Sequence, residues 1–191
     1  PSLAGVNTMH DVANLARTSR VDFATPGIGL AGHLAGELFK SLAKVDMQAI
    51  PFAGGGPAMT AVLSGQVKVG FMAIPASVPH IKSGRLVAIG VTSPQRLALL
   101  PEVPTVAEQG YPGFQVDNMY GILAPAGTPP EIVKKLNADI VRALHDPAVK
   151  KALEAATVEI VANTPEEFAR YIAAEHTKWA QVIKASGARA D

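Results

Sequence analysis

Cysteine is absent from the 191 residues. This excludes disulfides, thiolate nucleophiles and cysteine-ligated zinc, and leaves the redox compartment open. Long apolar runs are absent as well: stretches such as residues 86–91 fall far short of the ~20 residues a spanning helix needs. Neither sign of charge dominates, with 17 Lys and Arg against 16 Asp and Glu. The basic residues are scattered, so no stripe is available for nucleic acid and no polybasic tail for a membrane surface. Pro1, Ser2, Leu3, Ala4 and Gly5 carry neither a charged n-region nor an apolar h-region, which predicts a cytoplasmic chain or a processed or truncated product. A GxSxG elbow is missing. His10, His33, His80, His145 and His176 share no i, i+3 or i, i+4 metal spacing. Catalytic residues, metal sites and cofactors are therefore not expected.

What is present is ample core material, 48% hydrophobic, arranged as alternating strand-like and helix-like segments. Thr8 or Asn7 can cap a helix reaching about Thr18. Residues 21–24 form a strand, followed by a glycine turn and a helix over about 30–44. Residues 47–52 are the next strand and Gly54-Gly55-Gly56 the next turn, with Pro57 at the first position of a helix to Ser64. Residues 67–72 and 86–92 are two further strands joined by a short helix around 76–82. Four strands with helical crossovers imply a parallel sheet.

The rhythm then changes. Pro101, Pro104 and Pro112 break the chain around one helix that Thr105 and Glu108 can cap, and a domain crossover is expected near here. Residues 119–124 and 158–161 read as strands. Thr128-Pro129-Pro130-Glu131 and Thr164-Pro165-Glu166-Glu167 are capping boxes that start long amphipathic helices, and a shorter helix lies near 149–155. The first long helix aligns Ile132, Leu136, Ile140 and Leu144 on one face, the second Phe168, Ile172 and Trp179. Two strands are too little sheet to cover them as an independent domain.

Thr25-Pro26-Gly27-Ile28-Gly29-Leu30-Ala31-Gly32-His33 satisfies GxGxxG between a strand and a helix, as a dinucleotide site requires. The ribose-binding acid that should close the second strand is missing, since Ile50-Pro51-Phe52-Ala53 ends without a carboxylate. What remains is an anion site at a helix N-terminus, repeated at Gly54-Gly55-Gly56. Glycines also serve simply to make tight turns, but two such turns at neighbouring strand ends favour a shared ligand crevice. His33 admits two readings, a first-turn residue bonded to nearby backbone or a ligand contact.

Several stretches together resemble a known family. They are His33-Leu34-Ala35-Gly36-Glu37-Leu38-Phe39, Leu63-Ser64-Gly65-Gln66-Val67, Pro79-His80-Ile81-Lys82-Ser83-Gly84-Arg85-Leu86, Val91-Thr92-Ser93 and Leu100-Pro101-Glu102-Val103-Pro104-Thr105-Val106-Ala107-Glu108. They continue with Leu123-Ala124-Pro125-Ala126-Gly127-Thr128-Pro129 and Thr164-Pro165-Glu166-Glu167-Phe168. In this order they resemble the periplasmic solute receptors of tripartite tricarboxylate transporters, the Bug family with its TctC-like members. The resemblance implies an α/β fold: a type II periplasmic-binding-protein-like lobe with a mainly parallel sheet flanked by helices, plus C-terminal helices and strands of the other lobe. Residues 1–116 would be the second lobe and 117–191 the C-terminal portion of the first, whose opening units have no counterpart here. It also implies a periplasmic location, transporter membrane subunits as partners and a small organic acid as ligand.

Departures from the family pattern bear on that ligand. A usual Ser-Ser-Gly-x-Gly-Thr turn is Thr25-Pro26-Gly27-Ile28-Gly29-Leu30 here, a common Tyr-Lys-Gly is Phe52-Ala53-Gly54, and a frequent Phe-Asp-Asn is Phe71-Met72-Ala73. Each change removes a polar group, so the cleft should suit an aromatic or aliphatic body. The expected ligand residues are Thr25, Gly27, Ile28, Gly29, Leu30, His33, Phe52, Ala53, Gly54, Gly55, Met72, Ala73 and Ile74, with amides at 25–29 and 54–56 holding a carboxylate. Two alternatives stay open, the nucleotide-binding domain of an NAD-dependent oxidoreductase and a ligand-sensing module for a signalling partner. With part of the cleft absent, weak binding and a homodimer or domain swap through the exposed C-terminal part are also expected.

Overall fold

The computed structural model describes residues 5–156 and 158–186. The chain divides into two units, residues 1–118 with 181–191, and residues 119–180.

In the first unit, α1 (Met9–Thr18) begins at Thr8, whose hydroxyl accepts the Asp11 N–H while the Asp11 side chain takes the Thr8 N–H. Thr8→Ala removes half of this box and is expected to cost about 1 kcal/mol, read from the urea midpoint. Three strands follow in alternation with helices: β1 (Asp22–Thr25), α2 (Ala31–Ala43), β2 (Gln48–Pro51), α3 (Gly55–Leu63), β3 (Val69–Gly70) and α4 (Ile74–Lys82). All pairings are parallel and the order is β2-β1-β3. β1 is central because its Phe23, Ala24 and Thr25 are fully buried and tolerate cover on both faces. Phe23 meets Phe71 edge-on at 5.6 Å between centroids, and Phe39 continues the cluster to Tyr111 at 5.1 Å. Gly36 lets α2 lie directly on Phe23, since a Cβ there would sit 2.2 Å from the ring.

Several expectations from the sequence are corrected. Residues 86–92 do not join the sheet: the segment makes only a bridge from Val91 to Thr105. A side chain takes the place of a neighbouring strand, because the Gln109 amide donates to the Ile89 carbonyl at 2.8 Å. Residues 67–72 shorten to the two-residue β3. Pro57 is the third residue of α3, with Gly54 as N-cap; proline fits anywhere in a first turn, where N–H groups have no helical partner. Thr105 and Glu108 do close their box, each side chain taking the other's N–H at 2.8 and 3.0 Å, but over a turn and not an α-helix.

The second unit contains α5 (Pro130–Leu144), α6 (Pro147–Ala155) and most of α7 (Pro165–Ser186). The strands expected at 119–124 and 158–161 are not formed. A strand exists only with a neighbour to accept its ladder, and among the described residues of this unit there is none. Tyr120, Ile122 and Leu123 are accordingly more than 70% exposed, and no residue of α5 or α6 is buried. Thr128 does not cap α5: its hydroxyl donates to the Pro125 carbonyl and Pro129 is the N-cap. The Thr164 and Glu167 box at α7 forms as expected, with exchanged bonds of 2.8 and 3.2 Å.

Candidate ligand site

The carboxyl ends of the three strands meet at the two glycine turns. Phe52 N–H donates to the Thr25 carbonyl at 3.0 Å, Phe71 N–H to the Ala24 carbonyl at 3.3 Å, and Gly54 N–H to the Pro26 carbonyl at 2.9 Å. The last bond ties the turn after β1 to the turn after β2. Gly27, Gly29 and Gly54 have φ of 156°, 76° and 102°, conformations that favour glycine. Gly32 has a separate reason: its Cβ would lie 2.5 Å from the Phe71 carbonyl oxygen and 2.9 Å from Pro26 Cδ. α2 therefore starts pressed against the end of β3, which is how the first turn is brought over the sheet edge.

The N–H groups at the start of a helix have no carbonyl a turn back to meet. In α3 these belong to Gly55 and Gly56, in α2 to Ala31, Gly32 and His33. Around Gly54, Gly55 and Gly56 nothing lies within 4 Å of where a side chain would begin, so this turn presents bare backbone to open space. Both helix starts carry partial positive charge and neither first turn contains an acidic residue, an arrangement suited to an anion.

The expected ligand residues sort into distinct roles. Ile28 and Leu30 are about half exposed, at 50% and 51%, and flank the turn as apolar surface. Ala53 and Ala73 are exposed as well. Phe52 and Met72 are half buried against Ala24, Ala58, Ala61, Val62 and Val67, and Ile74 against Val78, Val91, Leu100 and Val103, so much of their surface serves the core. Thr25 is fully buried, and its hydroxyl donates to the Gly27 carbonyl at 3.3 Å, bracing the turn from within. Gly29 N–H donates to His33 Nδ1 at 3.2 Å and Gly54 N–H is bonded to Pro26, so neither amide is free. His33 takes the backbone-bonded role. Burial pushes its pKa below the usual 6.5, with Glu37 pulling the other way. Glu37 is itself buried and paired with Lys40 at 3.0 Å. The Pro26 carbonyl as a link between turns was invisible to motif reasoning, whereas the Glu37 and Lys40 spacing was a readable signal.

An open depression of about 500 Å³ lies at the opposite, amino ends of β1 and β2, beside Arg17, Arg20 and Asp46. Its basic groups are already engaged, Arg17 with Asn14 and the Ala43 carbonyl, Arg20 with Asp22. It is not the end of the sheet where parallel α/β folds bind ligands.

Comparison with known proteins bears on this arrangement directly. The model of the tripartite tricarboxylate transporter family receptor, TctC, matches residues 1–188. Protein BugT of Bordetella pertussis is 38% identical over 174 residues, covering 91% of this chain and 53% of BugT. An R. palustris protein solved with adipate superposes with a TM-score of 0.81 at 30% identity, covering 97% of this chain and 63% of that one. The protein MatC of Rhodopseudomonas palustris, solved with bound malate, gives 0.73 at 32% identity, covering 95% and 63%. The chain thus spans about half the length of BugT and under two thirds of either structure. Its parallel sheet flanked by helices is that of a periplasmic binding protein, and the matching family is one of solute receptors, not of enzymes. This chain, with glycine turns at its parallel strand ends and a family match along nearly its whole length, belongs to the tripartite tricarboxylate transporter receptor family.

Proposed function

We propose that this protein is a periplasmic receptor that captures a small carboxylated compound and presents it to the membrane subunits of a tripartite transporter. The observation that carries this reading is the pair of glycine turns joined by the Gly54 to Pro26 bond, with open amides at Gly55 and Gly56. Those amides and the start of α2 hold a carboxylate, and no covalent chemistry takes place. Ile28 and Leu30 then contact the body of the solute, which favours an aliphatic or aromatic acid over a hydroxylated one, because a polar group laid against them loses its hydration without a partner. Residues 1–116 are assigned to the second lobe of the receptor and 117–191 to the C-terminal portion of the first.

The relatives solved with adipate and malate make dicarboxylates the first compounds to try. A thermal-shift screen of organic acids, with NAD as the control for a nucleotide site, tests the proposal. Adipate, with its methylene chain, is expected to stabilise more than malate. Stabilisation by NAD and by none of the acids would overturn the receptor reading.

A further inference from the structure

The first glycine turn rests on a buried imidazole. His33, the third residue of α2, is 6% exposed, and its Nδ1 accepts the Gly29 N–H at 3.2 Å. A ring nitrogen accepts only when it carries no proton, so this ring is neutral, with its proton on Nε2. That nitrogen faces Glu37, whose Oε1 is 4.0 Å away and whose other oxygen lies 3.0 Å from Lys40 Nζ. Among the described residues, the charges that act on the ring are those of Glu37 and Lys40 on α2 itself. Gly29 has a φ of 76°, and of the bonds described for the turn this is the one that fixes its peptide to α2.

We propose that His33 is a positioning residue whose neutral ring holds the carboxylate-binding turn in shape, and that protonating the ring releases the turn and weakens solute capture. The proposal rests on the receptor reading above. A protonated Nδ1 is a donor, and it would face the Gly29 N–H donor to donor. The direction follows from burial. Desolvation lowers the folded-state pKa below 6.5, while Glu37 opposes it and Lys40 adds to it. The turn is therefore fully held above about pH 6.5 and is lost as pH falls through the lower folded value.

The test reads the turn without any solute, so its failure is separate from a failed acid screen. On the full chain, imidazole 15N shifts and Gly29 amide exchange are followed between about pH 7.5 and about pH 5. At the upper pH, Nδ1 is expected to show the shift of an unprotonated nitrogen. On descending, the Gly29 protection factor is expected to fall about ten-fold in step with ring protonation. His33→Asn places a non-titrating oxygen near the Nδ1 position and is expected to keep Gly29 protected at both ends of the range. His33→Phe is expected to lose protection at both. A Gly29 protection factor that stays constant while the ring protonates would overturn the proposal, as would an undiminished step in His33→Asn. If a variant fails to fold, the wild-type titration decides alone.

Discussion

Gly36→Ala is expected to lower the thermal midpoint by roughly 4–8 °C, although alanine is the better helix former. The intrinsic gain of Ala over Gly inside a helix is about 1 kcal/mol. Against it stands a Cβ placed 2.2 Å from Phe23 Cε2 and 2.3 Å from Cζ. Phe23 is fully buried in the central strand and edge-packed on Phe71, so the ring has nowhere to retreat, and overpacking of this kind sits at the upper end of ~1–3 kcal/mol. The net loss is about 2 kcal/mol, and about 2–4 °C per kcal/mol gives the stated shift for a chain of this size. Phe23→Leu introduced together with Gly36→Ala should recover part of it, since the two side chains compete for one volume and cannot act additively. Calorimetry on the two single variants and the double settles the matter. A neutral Gly36→Ala would mean that α2 does not lie on β1 as closely as described.

Gly55→Asp is expected to separate binding from stability. Gly55 is the first residue of α3, and nothing lies within 4 Å of its would-be Cβ, so a side chain has room to begin there. A carboxylate in a first helical turn interacts favourably with the helix dipole, and stability should rise by about 0.5 kcal/mol. For a bound carboxylate the consequence is opposite. Two like charges about 5 Å apart at an effective dielectric of ~20 repel by about 3 kcal/mol, which corresponds to roughly 100-fold weaker binding. Titration calorimetry with the best acid from the screen, beside a urea melt of the same variant, reads both effects. Unchanged affinity would remove the Gly55 turn from the site. Gly55→Ala is the control, expected to alter affinity far less because it adds volume without charge.

Much of the first unit was legible in the sequence. The strand at Phe23, the helix over His33 to Phe39 and the two glycine turns follow from period and punctuation, which are local properties. The cap at Thr8 and the box at Thr164 were readable for the same reason, since donor and acceptor lie three residues apart. The strands that did not form failed for non-local reasons, whereas the Thr128 cap failed locally, its hydroxyl going to the Pro125 carbonyl three residues back. Residues 86–92 have a strand's composition, yet Gln109 takes the Ile89 carbonyl from twenty positions away. Residues 119–124 and 158–161 have a strand's composition, but a ladder needs a second chain segment beside it, and composition does not reveal whether one is there.

By itself, then, the sequence determined the family, the parallel α/β character and the position of the glycine turns after Thr25 and Ala53. Set beside the family pattern it resembles, it also implied that polar groups are missing at residues 26, 30, 52, 53, 72 and 73. Only the tertiary structure decided which groups of those turns are available. Thr25 faces inward, and the amides of Gly29 and Gly54 are held by His33 and the Pro26 carbonyl, while the backbone at Gly55 and Gly56 has open space where a side chain would begin. The physical reason is that a backbone donor is free or engaged according to what lies within about 3 Å of it. At these turns Thr25 and Gly29 are engaged by neighbours within four residues, which only the folded turn brings into reach, while Gly54 is held by Pro26 from the turn after the adjacent strand.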